Sequence, residues 1–197
     1  QPAVFRHIKN FLFVALFGWF FSLAIFKTPS VLVGGLYLLR LVSYFAFFAV
    51  IFNRAKDEKF RKKVFNSLIA VLLTVAVFGW IQYFLYPDVR ALYAWGWDDH
   101  FLRLVGTFLD PTFTSIFGVF GFILSLTFYL ERKRKLYLAL IIFFLLTTAF
   151  TYARAGYLAI MAGTLAVTFI KRELKTAAVL ILMLLAILMF LPGGASE

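Results

Sequence analysis

Apolar residues run along this chain in long blocks broken by short polar turns. Seven blocks stand out: Asn10–Phe26, Val31–Phe52, Val64–Leu85, Pro111–Leu130, Leu136–Thr151, Gly156–Ile170 and Thr176–Leu191. A helix needs about 20 apolar residues to cross about 30 Å of hydrocarbon, and these blocks meet or approach that length. Each is apolar around its whole circumference, with no period-2 alternation, which predicts helices rather than the strands of a membrane barrel. The first block has a basic flank like a signal peptide, but six more follow, so it reads as a retained helix. The expected fold is all-α: a polytopic transmembrane helix bundle of about seven spans, one transmembrane domain over residues 1–197.

Composition supports this pattern. Hydrophobic residues make up 63% of the 197, aromatics 20% and charged residues 15%, and 27 residues are phenylalanine. A soluble domain carries about 45–50% apolar and about 25% charged residues. A water-soluble enzyme, a disordered tail and a disulfide scaffold are therefore excluded together. With no cysteine, thiolate metal sites and cysteine nucleophiles are excluded as well. The chain opens at Gln1, and its last apolar block runs to Leu191, so it reads as a piece of a longer protein.

The net charge of +11 resolves by loop. The N-terminus and the loops 53–63, 131–135 and 171–175 hold 15 of the 20 Lys and Arg residues against four acids. The opposite loops hold Lys27, Arg90, Arg103 and Arg154 against five acids, and Arg40 lies inside a span. The positive-inside rule then predicts a cytoplasmic N-terminus and an outer C-terminus. The partner implied by the charge is the lipid bilayer and not nucleic acid.

One outer connection is long, residues 86–110, and it is dense in aromatics: Tyr86, Tyr93, Trp95, Trp97, Phe101 and Phe108. The Val89/Leu92/Tyr93 spacing predicts a short helix lying in the interface. The aromatics fit an interfacial belt, the default for such residues and the favoured reading, with a platform on which sugar rings stack as the alternative.

Outer basic residues are scarce, so each needs a reason. Arg103 precedes Leu104-Val105-Gly106-Thr107-Phe108-Leu109-Asp110-Pro111. Aspartate before proline is a helix-start signal: Asp110 caps free amides and Pro111 suits the first helical position. The second case is Thr151-Tyr152-Ala153-Arg154-Ala155-Gly156, between two short spans. Spans of about 16 residues give only about 24 Å of helix, so this hairpin is expected to dip below the interface with Arg154 partly desolvated, an arrangement that marks functional positions. Each place sets an arginine beside a helix N-terminus, and both features bind anions. Two such units can straddle a pyrophosphate. The residues alone leave a second reading open, in which the arginines satisfy carbonyls or pair with Asp98, Asp99 or Asp110.

Arg40 sits about 14 Å into the second span, where the candidate partners are a lipid phosphate, backbone carbonyls or a further helix. Intramembrane acids are lacking, which counts against ion-coupled transport. Asp98-Asp99-His100 is the one cluster resembling a metal site, and a solvated loop explains it equally; no metal or cofactor is expected. The Gly156/Ala159/Gly163/Ala166 stripe predicts a close helix–helix contact.

Arg103-x-x-Gly106-Thr107-Phe108-x-Asp110-Pro111 at the head of a span resembles the opening motif of the O-antigen ligase and polymerase superfamily. After a span, a basic turn and another span comes Thr151-x-x-Arg154, similar to that family's second motif. The likeness covers about residues 103–170. It implies a membrane glycosyltransferase of the bacterial inner membrane with an outer, periplasmic active site. Such an enzyme moves a glycan from an undecaprenyl-pyrophosphate carrier to an acceptor on a glycan, lipid or protein. The resemblance implies that Arg103 and Arg154 hold and stabilise the pyrophosphate as leaving group, with Gly106, Asp110 and Pro111 completing the binding motif, and that no metal is needed. Thr112 and Ala153 depart from the family pattern, which favours asparagine and serine there. The family's catalytic histidine belongs to a large outer loop beyond a later span, which would begin where this chain ends; the role is not carried over to His100. The alternative class is a transporter or flippase subunit for an anionic lipid or sugar, which Arg40 would suit. A third is a non-catalytic membrane scaffold.

Overall fold

The computed structural model describes residues 3–190, and 82% of these residues are helical. Seven helices follow one another: α1 Ala3–Ser22, α2 Thr28–Arg54, α3 Glu58–Leu85, α4 Pro111–Arg132, α5 Lys135–Ala149, α6 Arg154–Ile170 and α7 Leu174–Phe190. Two 3-10 turns, Arg90–Trp95 and Gly106–Phe108, lie between α3 and α4. Among the described residues the only extended pairing is a bridge between Asp88 and Phe101. Four helices, α1 to α4, are long and apolar enough to cross a membrane; α5, α6 and α7 are shorter apolar helices of 15, 17 and 17 residues. This is an all-helical membrane protein.

Several boundaries differ from those the hydropathy pattern predicts. The first helix begins and ends earlier than Asn10–Phe26, because the Trp19 carbonyl accepts from the Ser22 hydroxyl at 2.6 Å and residues 23–26 form turns. Helices α2 and α3 reach into their polar flanks, since a helix continues into water until a cap or turn residue stops it. Asp57 starts α3 by accepting the Lys59 amide at 2.9 Å. The last predicted span includes Leu191, which lies outside the described residues.

The chain divides into two compact units, with the division inside α3 at Val64/Phe65. In the first, α1 and α2 form a hairpin zipped by aromatic rings: Phe5 against Phe48 and Phe52, and Phe11 against Phe45. Near the turn the Trp19 indole donates to the Val31 carbonyl at 2.9 Å, and its ring covers Gly35. Of the large apolar side chains here only Val31 is buried, the surface expected of a hairpin solvated by lipid.

The second unit is built on α4. Its small residues Gly118 and Gly121 let α5 approach: a Cβ at Gly118 would strike the Thr148 hydroxyl, and one at Gly121 the Phe144 ring. Gly163 of α6 receives Ile123 of α4, and Gly156 lies against Ser115 and Thr148. Half of the expected small-residue stripe thus makes helix contacts. Ala159 and Ala166 are instead exposed. Close approach of small residues is how helices gain packing energy where no water drives association. Around α4 the core holds Leu72 and Ala76 of α3, Phe122 and Leu126, Ile141, Phe144 and Leu145 of α5, Ile160 of α6, and Leu180 and Leu184 of α7.

At one end of this unit the α4–α5 turn meets the α6–α7 turn through crossed ion pairs. Lys133 reaches Glu173 at 3.0 Å and Lys171 reaches Glu131 at 2.8 Å. The opposite end carries residues 86–110 and the α5–α6 hairpin, and so both arginine motifs.

Candidate functional site

The segment after α3 is folded back by one side chain that the motif search passed over. Gln82, in the last turn of α3, accepts the Val105 amide at 3.0 Å and the Gly106 amide at 3.2 Å through Oε1. Its Nε2 donates to the carbonyls of Tyr86 at 2.9 Å and Arg103 at 3.4 Å. All four functions of one amide go to loop backbone, so Gln82 fixes the strip 103–106 against α3. The signal in the sequence was a lone amide near the end of an apolar span.

From the other side Thr114 of α4 donates its hydroxyl to the Val105 carbonyl at 2.6 Å. Leu104 and Val105 are fully buried by this clamp. Gly106 is buried with a left-handed φ of 59°, and a Cβ there would stand 3.0 Å from the Thr114 hydroxyl. Its need for glycine is thus explained by backbone conformation and crowding, without any ligand.

Asp110 caps α4, accepting the Thr112 and Phe113 amides at 2.6 and 3.2 Å, with Pro111 buried at the first position. The helix start expected here is present, and it changes the anion argument: the positive end of α4 is already answered by its own carboxylate.

The second motif is a tight hairpin. Thr151 donates to the Thr148 carbonyl at 2.7 Å and accepts the Ala153 amide at 3.2 Å, and the Tyr157 hydroxyl reaches back to the Ala149 carbonyl at 2.8 Å. Tyr152 takes a left-handed φ of 56° at the tip. Phe150 lies against Trp80 and Tyr83 of α3, with ring centroids 5.0 and 5.3 Å away. The Trp80 indole donates to Thr147 at 3.0 Å.

One bond joins the two motifs. The Leu104 amide donates to the Phe150 carbonyl at 2.9 Å, so the residue after Arg103 is tied to the hairpin that leads into Arg154. Arg103 is half-buried, and its charge acts on His100, Tyr152 and Tyr157. Arg154 is the first residue of α6 and is exposed, so no protein side chain covers it and the desolvation expected from the short spans would come from lipid. Among the described residues Arg154 has no hydrogen-bond or ion-pair partner.

The two arginine places therefore differ in design. Ala153, the cap position of α6, offers no side-chain oxygen, and with the Gly156 and Tyr157 amides bonded to its carbonyl the Arg154 and Ala155 amides are the ones left open to an anion. The first turns of α4 and α6 pack side by side through Gly156 and Ser115. Between these helices runs an apolar groove of about 340 Å³, lined among others by Thr112, Ile116, Phe120, Ala155 and Ala159.

The other outer groups are engaged locally. Arg90 grips Asp88 with two bonds of 3.0 and 2.8 Å and lies 4.8 Å from the Phe101 ring. That pair holds the Asp88 carboxyl down at about 2. The expected short helix is present as the 3-10 turn Arg90–Trp95. Burial, and then the nearby Arg103 charge, pull His100 below its ordinary value, with Asp98, Asp110 and Asp99 opposing. Among the described residues no three His, Cys, Asp or Glu are grouped to hold a metal ion. Arg40, on α2, lies against two rings of its own helix, Tyr37 at 5.3 Å and Tyr44 at 5.9 Å, a partner the sequence reading did not consider.

No protein-family model, no curated protein and no solved structure matches this chain.

Proposed function

We propose that this chain carries the carrier-binding part of a membrane glycosyltransferase of the O-antigen ligase and polymerase type, in a bacterial inner membrane. In the reaction an acceptor hydroxyl attacks the anomeric carbon of a glycan held on undecaprenyl pyrophosphate. The bond from that carbon to the diphosphate oxygen breaks, the acceptor loses its proton, and the carrier diphosphate leaves with the bonding pair. Fixed positive charge placed where that negative charge develops lowers the barrier.

The observation that carries this reading is the Leu104–Phe150 bond, which brings the Arg103 and Arg154 motifs to one end of one unit. Arg154, whose side chain has no partner among the described residues and which heads an uncapped helix, is suited to one phosphate, and Arg103 beside the hairpin to the other. The groove between α4 and α6 is apolar and suits an isoprenoid chain. Gly106, Asp110 and Pro111 act here as the frame that positions Arg103 rather than as direct ligands.

The test replaces Arg103 or Arg154 by glutamine in the protein expressed from its complete gene and measures glycan transfer. Both variants are expected to lose transfer by at least about a hundredfold, the scale of a lost oxyanion-type donor, at unchanged membrane abundance. Wild-type turnover in either variant removes that arginine from the mechanism. The transporter alternative rested on Arg40, which has aromatic partners on its own helix. Solute movement in liposomes without product formation would favour it.

A further inference from the structure

The basic end of the second unit is more than a topology signal. Its acids are used up: Glu131 is held by Lys171 and Glu173 by Lys133, each across from one turn to the other. Arg172 and Lys175 take part in none of the ion pairs among the described residues. Both line an open cleft of about 630 Å³ at the α6–α7 turn, together with Phe169, Ile170, Glu173 and Leu174. The apolar walls are strongly exposed, Phe169 at 74%, Ile170 at 76% and Leu174 at 59%. Arg172 also sits at a left-handed φ of 58°, a conformation that favours glycine.

We propose that this cleft binds an anionic glycerophospholipid. The phosphate lies between Arg172 and Lys175, and the upper acyl chain covers Phe169, Ile170 and Leu174. The charge match selects an anionic headgroup over a zwitterionic one, because two cations face the cleft and its single carboxylate is already neutralised by Lys133. The apolar walls select a lipid over free phosphate, which gains nothing from three exposed hydrocarbon side chains. Basic residues beside a membrane surface attract anionic lipid individually; here two of them share a cleft with its apolar floor. The site is separate from the arginine motifs, which lie at the other end of the unit.

The experiment reconstitutes the chain in nanodiscs of phosphatidylcholine and phosphatidylglycerol at equal amounts and counts retained lipids by native mass spectrometry. Wild type is expected to retain phosphatidylglycerol preferentially. Arg172→Gly with Lys175→Gln should lower that preference by roughly an order of magnitude. Glycine suits the left-handed position, so the double variant is expected to keep its fold. A control with the same charge loss elsewhere, Lys59→Gln with Lys63→Gln, should keep the preference. An equal fall in the control, or no preference in wild type, overturns the proposal. A second readout needs no variant: phosphatidylglycerol with a photoreactive acyl chain should crosslink wild type at Phe169, Ile170 or Leu174. Crosslinks found only at other positions overturn it as well.

Discussion

Gln82 shows how much one side chain can decide at the residue scale. It supplies the acceptor for two loop amides, Val105 and Gly106, in a place where Leu104 and Val105 are fully buried. A buried donor left without an acceptor costs about 1–3 kcal/mol. Gln82→Leu is expected to destabilise the second unit by about 2 kcal/mol or more, and to lower transfer although Arg103 and Arg154 are intact. Thermal unfolding in detergent measures the first effect, and an unchanged midpoint would remove Gln82 from its positioning role. Ala153 makes the opposite case. It has the extended backbone of a helix cap, φ −84° and ψ 106°, but no oxygen with which to cap. Ala153→Ser should stabilise α6 by about 1 kcal/mol, seen as a higher melting temperature. If the open amides serve an anion, the same change should weaken carrier binding, because the serine oxygen would occupy them.

At the scale of elements, the stretch 86–102 behaves as a small closed loop. The Val89 amide bonds the His100 carbonyl at 3.1 Å and the Leu102 amide bonds the Pro87 carbonyl at 2.9 Å. Two titrations act on it in different pH ranges. His100 is held below its ordinary value near 6.5 by burial and by Arg103, so the folded loop prefers the neutral ring. The stability this gives is present above about 6.5 and is lost as pH falls through the lower folded value. Asp88, held at about 2 by Arg90, contributes stability above the ordinary carboxylate range and loses it only toward about 2. The protection of the Val89 and Leu102 amides, relative to intrinsic exchange, is expected to fall as pH drops below about 6.5, and His100→Gln should abolish that step. A step of equal size in the variant would show that His100 is not its source. The same scale holds the contrast between α4 and α6: one helix closes its positive end with Asp110, and the other leaves it open at Ala153 beside Arg154.

For the whole molecule, the distribution of charge sets the orientation. With 15 of 20 basic residues in one set of loops, the Lys133 turn is expected on the cytoplasmic side and Trp95 on the outer side. The chain has no cysteine, so single substitutions report cleanly. In oriented vesicles Trp95→Cys should react with an impermeant maleimide from outside and Lys133→Cys only after permeabilisation. The reverse pattern would invert the topology and move the arginine motifs to the cytoplasmic face. Helices α5 and α6, at 15 and 17 residues, are only about 23 and 26 Å long. Helices of that length that cross a bilayer thin it around them or draw polar flanks toward its surface.

The helices themselves were legible in the residue pattern, because burying a backbone in hydrocarbon forces it to bond within each segment. The caps at Asp110-Pro111 were legible for the same local reason, since a cap depends on residues three or four apart. What the pattern could not carry were contacts between distant segments. The roles of Gln82 and Thr114 depend on a loop folding back between α3 and α4, which no periodicity encodes. Arg103 and Arg154 look alike in sequence, yet the first is half-buried and the second exposed. Arg40 found aromatic partners three and four residues away, a spacing that was there to be read. The sequence by itself determined the membrane, the helices and the expected orientation, all consequences of how each segment meets lipid or water. Only the tertiary structure decided that Arg154 stands exposed while Arg103 is half-buried, because that depends on which distant side chains arrive beside each.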